Sequence, residues 1–237
     1  MSAIDTQQTL AELVLERPGR AEVFEELDID YCCGGQSTLA EAAAQRGLAP
    51  QTLVARLDAA EHARQAGGAE RDWREAPLSE LCDHIVDVHH AYLRRELPRI
   101  DELLARVVDR HGARAPELGQ MHTHFGSLRS ALTAHIDSEE EGLFPLCGSL
   151  EEGDADAAVL LQFEAHEAAH EAVGQALTRM RELAGDYRQD QAFCTTHRVL
   201  LGSLQELERD LHQHIHEENN VLFPRLRAQL GEVGATA

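Results

Sequence analysis

The chain has 237 residues, 43% of them hydrophobic but only 4% aromatic, which is enough apolar content for one large domain or a small one beside a medium one. Its 42 acidic against 21 basic residues give a formal net charge of −21, which repels nucleic acid and anionic membranes and excludes a basic-patch binding mode. No stretch approaches the roughly 20 apolar residues that span a bilayer, and the start, MSAIDTQQTL, has neither a positive nor an apolar signal segment, so a soluble cytoplasmic protein is expected.

A composition rich in Ala, Leu, Glu and Arg favours helices over sheets, and the expected fold class is all-α. Residues 1–64 read as a small domain of four short helices. Pro18 suits the first turn of the second, Thr38 with Glu41 has capping-box spacing for the third, and Pro50 opens the fourth. The central loop of this domain holds DYCCGG, whose Gly34 and Gly35 signal a turn with exposed backbone. Five cysteines, Cys32, Cys33, Cys82, Cys147 and Cys194, show no regular spacing and read as reduced thiols rather than a disulfide framework. Cys32 and Cys33 are the candidates for chemistry, because thiolates in an exposed glycine turn can accept a metal or electrons; the bland reading makes them packing residues of the small domain. Residues 65–77, with Gly67, Gly68 and Pro77, break the periodicity and read as a linker, with Trp73 as a packing anchor.

Residues 78–229 carry four long helical patterns, at about 78–110, 114–146, 154–184 and 190–229. Gly112, Gly148, Gly153 and Gly185 fall at the turns, Pro98 is expected to kink the first helix, and Pro145 and Pro224 to restrict the ends of the second and fourth. Four antiparallel helices with short connections make a bundle, and bundles place cofactor sites between facing helices.

One motif occurs twice in that bundle, as HIDSEEEGLFP from His135 and as HIHEENNVLFP from His214, offset by 214 − 135 = 79 residues. A His and a Glu four apart project from the same helix face. His135 with Glu139, and His214 with Glu218, therefore each converge on one point among Leu128, Leu132 and Leu143 in one copy and Leu204, Leu207, Leu211 and Val221 in the other. Burying such groups unpaired costs roughly 2 kcal/mol or more apiece, and a bound cation removes that cost. A single pair is more simply an ion pair; duplication favours metal. In an antiparallel hairpin, partners lie at equal distances from the turn. That places the first-helix ligand near position 89, where His89 and His90 both stand, and the third-helix ligand within a few residues of 161, where His166 is the candidate with His170 one turn later. Counting 100° per residue mildly favours His89. His111 lies 21 residues beyond His90, about 31 Å along a helix, and belongs at the turn. Four imidazoles and two carboxylates exceed what one zinc takes, and two metals bridged by the carboxylates account for the count, with iron or manganese suited to nitrogen and oxygen donors.

DYCCGG in an N-terminal helical module, the DHIVDVHH segment, the two His-Ile-x-x-Glu repeats and the ENNVLFP ending together resemble the repair-of-iron-centres family, the di-iron iron-sulfur cluster repair proteins, over nearly the whole chain. The resemblance implies a small cysteine-bearing domain joined to a hemerythrin-like antiparallel four-helix bundle with a non-haem, carboxylate-bridged centre of two iron ions. It carries the ligand roles onto His90, His135, Glu139, His166, His214 and Glu218, and the vicinal thiols onto Cys32 and Cys33. It selects His90 because the family's first-helix ligand stands six after the His of the Asp-His-Ile segment. Two departures stand out: His89, where the family tends to have an aromatic residue, and His170, which resembles the paired histidines of true hemerythrins; either would add a fifth imidazole. The implied function is repair of iron-sulfur proteins damaged by nitrosative or oxidative stress, by donation of iron, with NO or O2 as small ligands and NO reduction as a conceivable side activity. The alternative is a hemerythrin-like O2 or NO carrier or sensor, and a homodimer is one arrangement the sequence leaves open.

Overall fold

The computed structural model describes residues 4–64, 72–151 and 158–236, and for the helix ends 61–64, 148–151, 158–161 and 231–236 it describes the backbone alone. Among the described residues the structure is helical, the one β-type pairing being an isolated antiparallel bridge between Thr9 and Thr38. No helix among them is long and apolar enough to cross a membrane. Contacts divide the chain into two units, Met1–Pro77 with Ile215–Arg225, and Leu78–His214 with Leu226–Ala237. Of the expected linker, residues 65–71 lie outside the described residues, as does Gly153 of the expected second turn.

The N-terminal unit contains α1 (Leu10–Glu16), α2 (Ala21–Glu26), α3 (Leu39–Gln45) and α4 (Pro50–Arg64). The capping box expected at Thr38 and Glu41 is present, and Thr9 with Glu12 forms a second one at the start of α1. Both helices open on Thr-Leu-Ala-Glu, and the two starts approach each other so that Leu10 N donates to Ser37 O at 2.9 Å and Leu39 N to Gln8 O at 3.0 Å. The N-terminal donors that a helix cannot satisfy internally are met twice over, by the caps and by this exchange. Pro18 opens a 3-10 turn, Pro18–Arg20, that leads into α2. Leu10, Leu13, Phe24, Leu39, Leu53 and Leu57 form the fully buried centre of the unit, with Tyr31 among them.

Four helical runs make up the rest. The first is α5 (Leu78–Ile85), a π-helical turn Val86–His90 and α6 (Ala91–His111); the second is α7 (Glu117–Ser138), a π-helical turn Glu139–Leu143 and α8 (Phe144–Glu151). The third is α9 (Ala158–Leu183), and the fourth is α10 (Thr195–Glu217), a π-helical turn Glu218–Leu222 and α11 (Phe223–Thr236). α6 packs on α7 and α7 on α9. Arg181 on α9 grips Glu208 on α10 at 3.1 Å, and Arg99 on α6 reaches Ser203 on α10 at 2.7 Å. The interior is a column of Leu81, Ile85, Leu93, Ile100, Leu104, Phe125, Leu128, Leu132, Leu177, Leu204 and Leu211.

Pro145 and Pro224 do not end their helices as the sequence suggested; the chain stays helical through both. Each comes just after a π-helical turn, where the hydrogen-bond register has already slipped by one residue, so a residue without an N–H falls where the ladder is interrupted anyway. α6 likewise runs on through Pro98. Gly185, with φ of 60°, ends α9 in the left-handed conformation, and Asp186 N reaches back to Arg181 O at 3.0 Å to close the terminus.

Candidate metal centre

The three π-helical turns coincide with the residues the sequence singled out: one ends on His89 and His90, one begins at Glu139 and one begins at Glu218. A π turn inserts about one residue into a helix and widens it locally, a distortion found mostly at functional sites. Here it also decides between the two neighbouring histidines. The extra residue shifts the helical phase, so the straight-helix count that favoured His89 fails. The Nε2 of His90 lies 3.3 Å from His214 Nε2 and 3.4 Å from a Glu139 carboxylate oxygen. His89 instead puts Nδ1 2.9 Å from Asp210 on α10, with its ring stacked on that of His214 at 5.4 Å.

Glu139 is wholly buried and stands at the middle of the group. One of its oxygens is 2.9 Å from His135 Nε2, 3.3 Å from His166 Nδ1 and 3.8 Å from His170 Nε2. Burial pushes the Glu139 carboxyl up, yet hydrogen bonds from His135, His166, His170 and His90 outweigh it and hold the group well below the usual carboxylate range. None of its described contacts is with a Lys or Arg side chain.

Two sets of donors result. His90, Glu139 and His214 have ligand atoms within 4.8 Å of one another, and so do His135, Glu139 and His170. Within each set two imidazole nitrogens face each other, His90 with His214 at 3.3 Å and His135 with His170 at 3.0 Å. Two facing ring nitrogens share at most one proton between them, whereas lone pairs converging on a common point suit a cation. Oxygen and nitrogen donors without sulfur fit iron, and the residues present therefore fit a non-haem iron site. His170, raised by the sequence only as an extra imidazole, sits in the tighter set; His166, one turn earlier, is also buried and touches the same carboxylate. The signal for both was the same i, i+4 spacing on one face of α9. Glu218 is fully buried and opens its π turn four residues after His214 on the same helical run.

Around the donors, side chains fix the rings. His90 Nδ1 meets Glu140 at 2.9 Å, and Arg94 holds Glu140 at 3.0 Å and Asp137 at 2.9 Å. A carboxylate on Nδ1 keeps the proton there and leaves Nε2 as the donor. Phe144, from the repeated Leu-Phe-Pro, stacks on His90 at 5.6 Å.

The cysteine pair is split. Cys33 is exposed as expected, but Cys32 is buried. The reason is Asp30, whose Oδ1 accepts from Cys32 N at 3.0 Å and Cys33 N at 2.9 Å and lies 3.2 Å from Cys32 Sγ, folding the turn around the carboxylate. A hydrogen bond with the Cys33 side chain, then burial, push the Cys32 thiol well above its ordinary value. Asp30, Cys32 and Cys33 have donor atoms close enough to hold an ion together. Asn220 Nδ2 donates to Cys32 O at 3.0 Å.

Residues 6–61 match a family described as a domain of unknown function (DUF542), and residues 82–226 match the hemerythrin HHE cation binding domain. The iron-sulfur cluster repair protein YtfE of Escherichia coli O157:H7 is 36% identical over 222 residues, covering 93% of this chain and 97% of the relative. The protein of the same name from Escherichia coli O17:K52:H18 (strain UMN026 / ExPEC) is 36% identical over the same length and coverage.

Proposed function

This chain belongs to the iron-sulfur cluster repair family with a hemerythrin-type domain, and on that premise we propose that it restores iron-sulfur clusters damaged by nitrosative or oxidative stress, by donating iron from a di-iron centre in its bundle. The observation that carries the reading is Glu139, a fully buried carboxylate surrounded by imidazoles. His90, His214 and Glu139 would hold one iron, and His135, Glu139 and His170, with His166 beside it, the other. The duplicated motif gives Glu218 the role in the second half that Glu139 has in the first.

Two ferrous ions so held supply two electrons, the number that reduces two NO to nitrous oxide, as a side activity. The chain's own residues set the hold. Glu140 keeps the proton of His90 on Nδ1, and carboxylate and imidazole donors grip Fe(II) less firmly than thiolates do, which favours release to a damaged cluster. Cys33, exposed beside Asp30, is placed to take iron or electrons outside the bundle. A gas carrier or sensor, the rival reading, leaves the cysteine-bearing unit without a task, and the relatives named as repair proteins span both units.

The test is anaerobic repair of an NO-damaged [4Fe-4S] enzyme by iron-loaded protein. The joint substitution of Glu139→Ala and Glu218→Ala should abolish both iron content and repair, and Cys32→Ser with Cys33→Ser should keep the iron and its visible absorption while impairing repair. Full repair by the iron-free variant overturns the proposal.

A further inference from the structure

Where α6 ends and α10 begins, a cysteine and two histidines meet at a distance from the candidate centre. His111 Nε2 lies 3.3 Å from Cys194 Sγ. The same sulfur accepts the backbone N–H of His197 at 3.5 Å, while the Cys194 carbonyl accepts from Arg198 N at 3.0 Å. Cys194 is thus the N-cap of α10, with sulfur in the acceptor position that a Ser or Asp oxygen usually fills. His111 is the last residue of α6. The two helix ends favour opposite charges, since the C-terminus of α6 stabilises a cation on His111 and the N-terminus of α10 an anion on Cys194.

Phe193, 53% exposed, shields the imidazoles without covering the sulfur, its ring 5.4 Å from that of His111 and 5.0 Å from that of His197. Cys194 itself is partly exposed. His197 cannot be the base for it: its Nδ1 accepts the N–H of Phe193 at 3.2 Å, and burial, then the charge of His111, hold it below the usual imidazole range. His111 is left as the proton acceptor.

We propose that Cys194 and His111 form a nucleophilic thiolate–imidazolium pair that is S-thiolated by low-molecular-weight disulfides. His111 Nε2 takes the Cys194 proton, and the thiolate attacks one sulfur of the disulfide. A bond forms between that sulfur and Cys194 as the original S–S bond breaks, and the departing thiolate takes the proton from His111. One disulfide and one thiol give one mixed disulfide and one thiol, with no other oxidant. The adduct replaces the sulfur that caps α10, the helix that bears His214.

The gain is bounded by chemistry. An ordinary thiol is only a few per cent ionised at pH 7, so full ionisation raises the thiolate population roughly 30-fold, and the lower nucleophilicity of a stabilised thiolate takes part of that back, leaving about threefold to tenfold. Full-length iron-loaded protein is exposed anaerobically to oxidised glutathione at pH 7, and the adduct at Cys194 is timed by peptide mass mapping against an unstructured cysteine peptide. Cys194 should react at least about threefold faster than the peptide, and His111→Gln, which can hydrogen-bond the sulfur but cannot take its proton, should bring the rate down to the peptide's. A wild-type rate no higher than the peptide's overturns the pair whatever the variant does, as does an undiminished rate in His111→Gln protein with an unchanged melting curve.

Discussion

At Gly35 the space is set by two neighbours. An added Cβ would meet Asn220 Oδ1 at 2.6 Å and Tyr31 O at 2.7 Å, and the backbone at Tyr31 has little freedom because its side chain is buried in the core of the unit. Gly35→Ala should therefore cost about 1–3 kcal/mol, read as a lower urea midpoint. Asn220→Ala removes one of the two clashes, so the double variant should lose less than the sum of the singles; strict additivity would mean that the close approach is not the cause. The neighbouring His216 makes a second case. Its Nδ1 lies 3.4 Å from Tyr31 O and 3.2 Å from Asn220 Nδ2, and burial, against a weaker opposing pull from the Tyr31 carbonyl and Glu217, lowers its pKa to about 4. At neutral pH the ring is uncharged whether the chain is folded or not. As pH falls through about 6.5 the unfolded chain takes up a proton that the folded chain refuses until about pH 4, so stability declines across that window, by up to about 3 kcal/mol, and levels off below it. His216→Gln should flatten the stability–pH curve between pH 6.5 and 4 relative to wild type in the same metal state. Parallel curves would show that the ring is protonated in the folded protein.

Among the helices, each π-helical turn sets the phase of the segment C-terminal to it. Deleting Gly142 from the turn Glu139–Leu143 would restore a regular helix and rotate the residues beyond by about 100°. Phe144 would leave the face of His90, and Leu143 and Cys147, both buried, would turn out of the core. Helical content by circular dichroism should barely change, while unfolding stability should drop by about 3 kcal/mol or more, as for losing a large core side chain. An unchanged midpoint would mean that the turn is incidental. These turns also mark the limit of what the sequence disclosed. The four runs, their order and the cap at Thr38 were legible from apolar periodicity and from Ser/Thr-x-x-Glu spacing, because those patterns report local geometry. The His-x-x-x-Glu pairs were legible for the same reason, as each is complete before its helix widens. A π turn leaves no comparable trace, so Pro145 and Pro224 read as stops and the angular count at His89 pointed the wrong way. On α9, His166 and His170 share one face, and hairpin register, good only to about a turn, could not rank them. The burial of Cys32 depends on three contacts to Asp30, which no spacing rule encodes.

For the whole molecule, the net charge of −21 bears on a protein proposed to load and release cations. A strongly anionic surface concentrates divalent cations near it and speeds their arrival, and the effect reaches as far as the screening length, about 30 Å at 0.01 M ionic strength and about 8 Å at 0.15 M. Once an ion reaches buried donors such as Glu139 and His90, its hold depends on short contacts that salt hardly screens. Uptake and retention should therefore respond differently to salt. Anaerobic Fe(II) uptake by metal-free protein, monitored by stopped-flow absorbance, should slow about tenfold between 0.01 M and 0.15 M ionic strength, whereas release to an excess of a neutral chelator should change by less than about twofold. Uptake indifferent to salt would mean that a slow opening of the bundle, rather than the field of the surface, governs entry, and substitutions that loosen the packing around His90 and Phe144 would then be the ones that speed it.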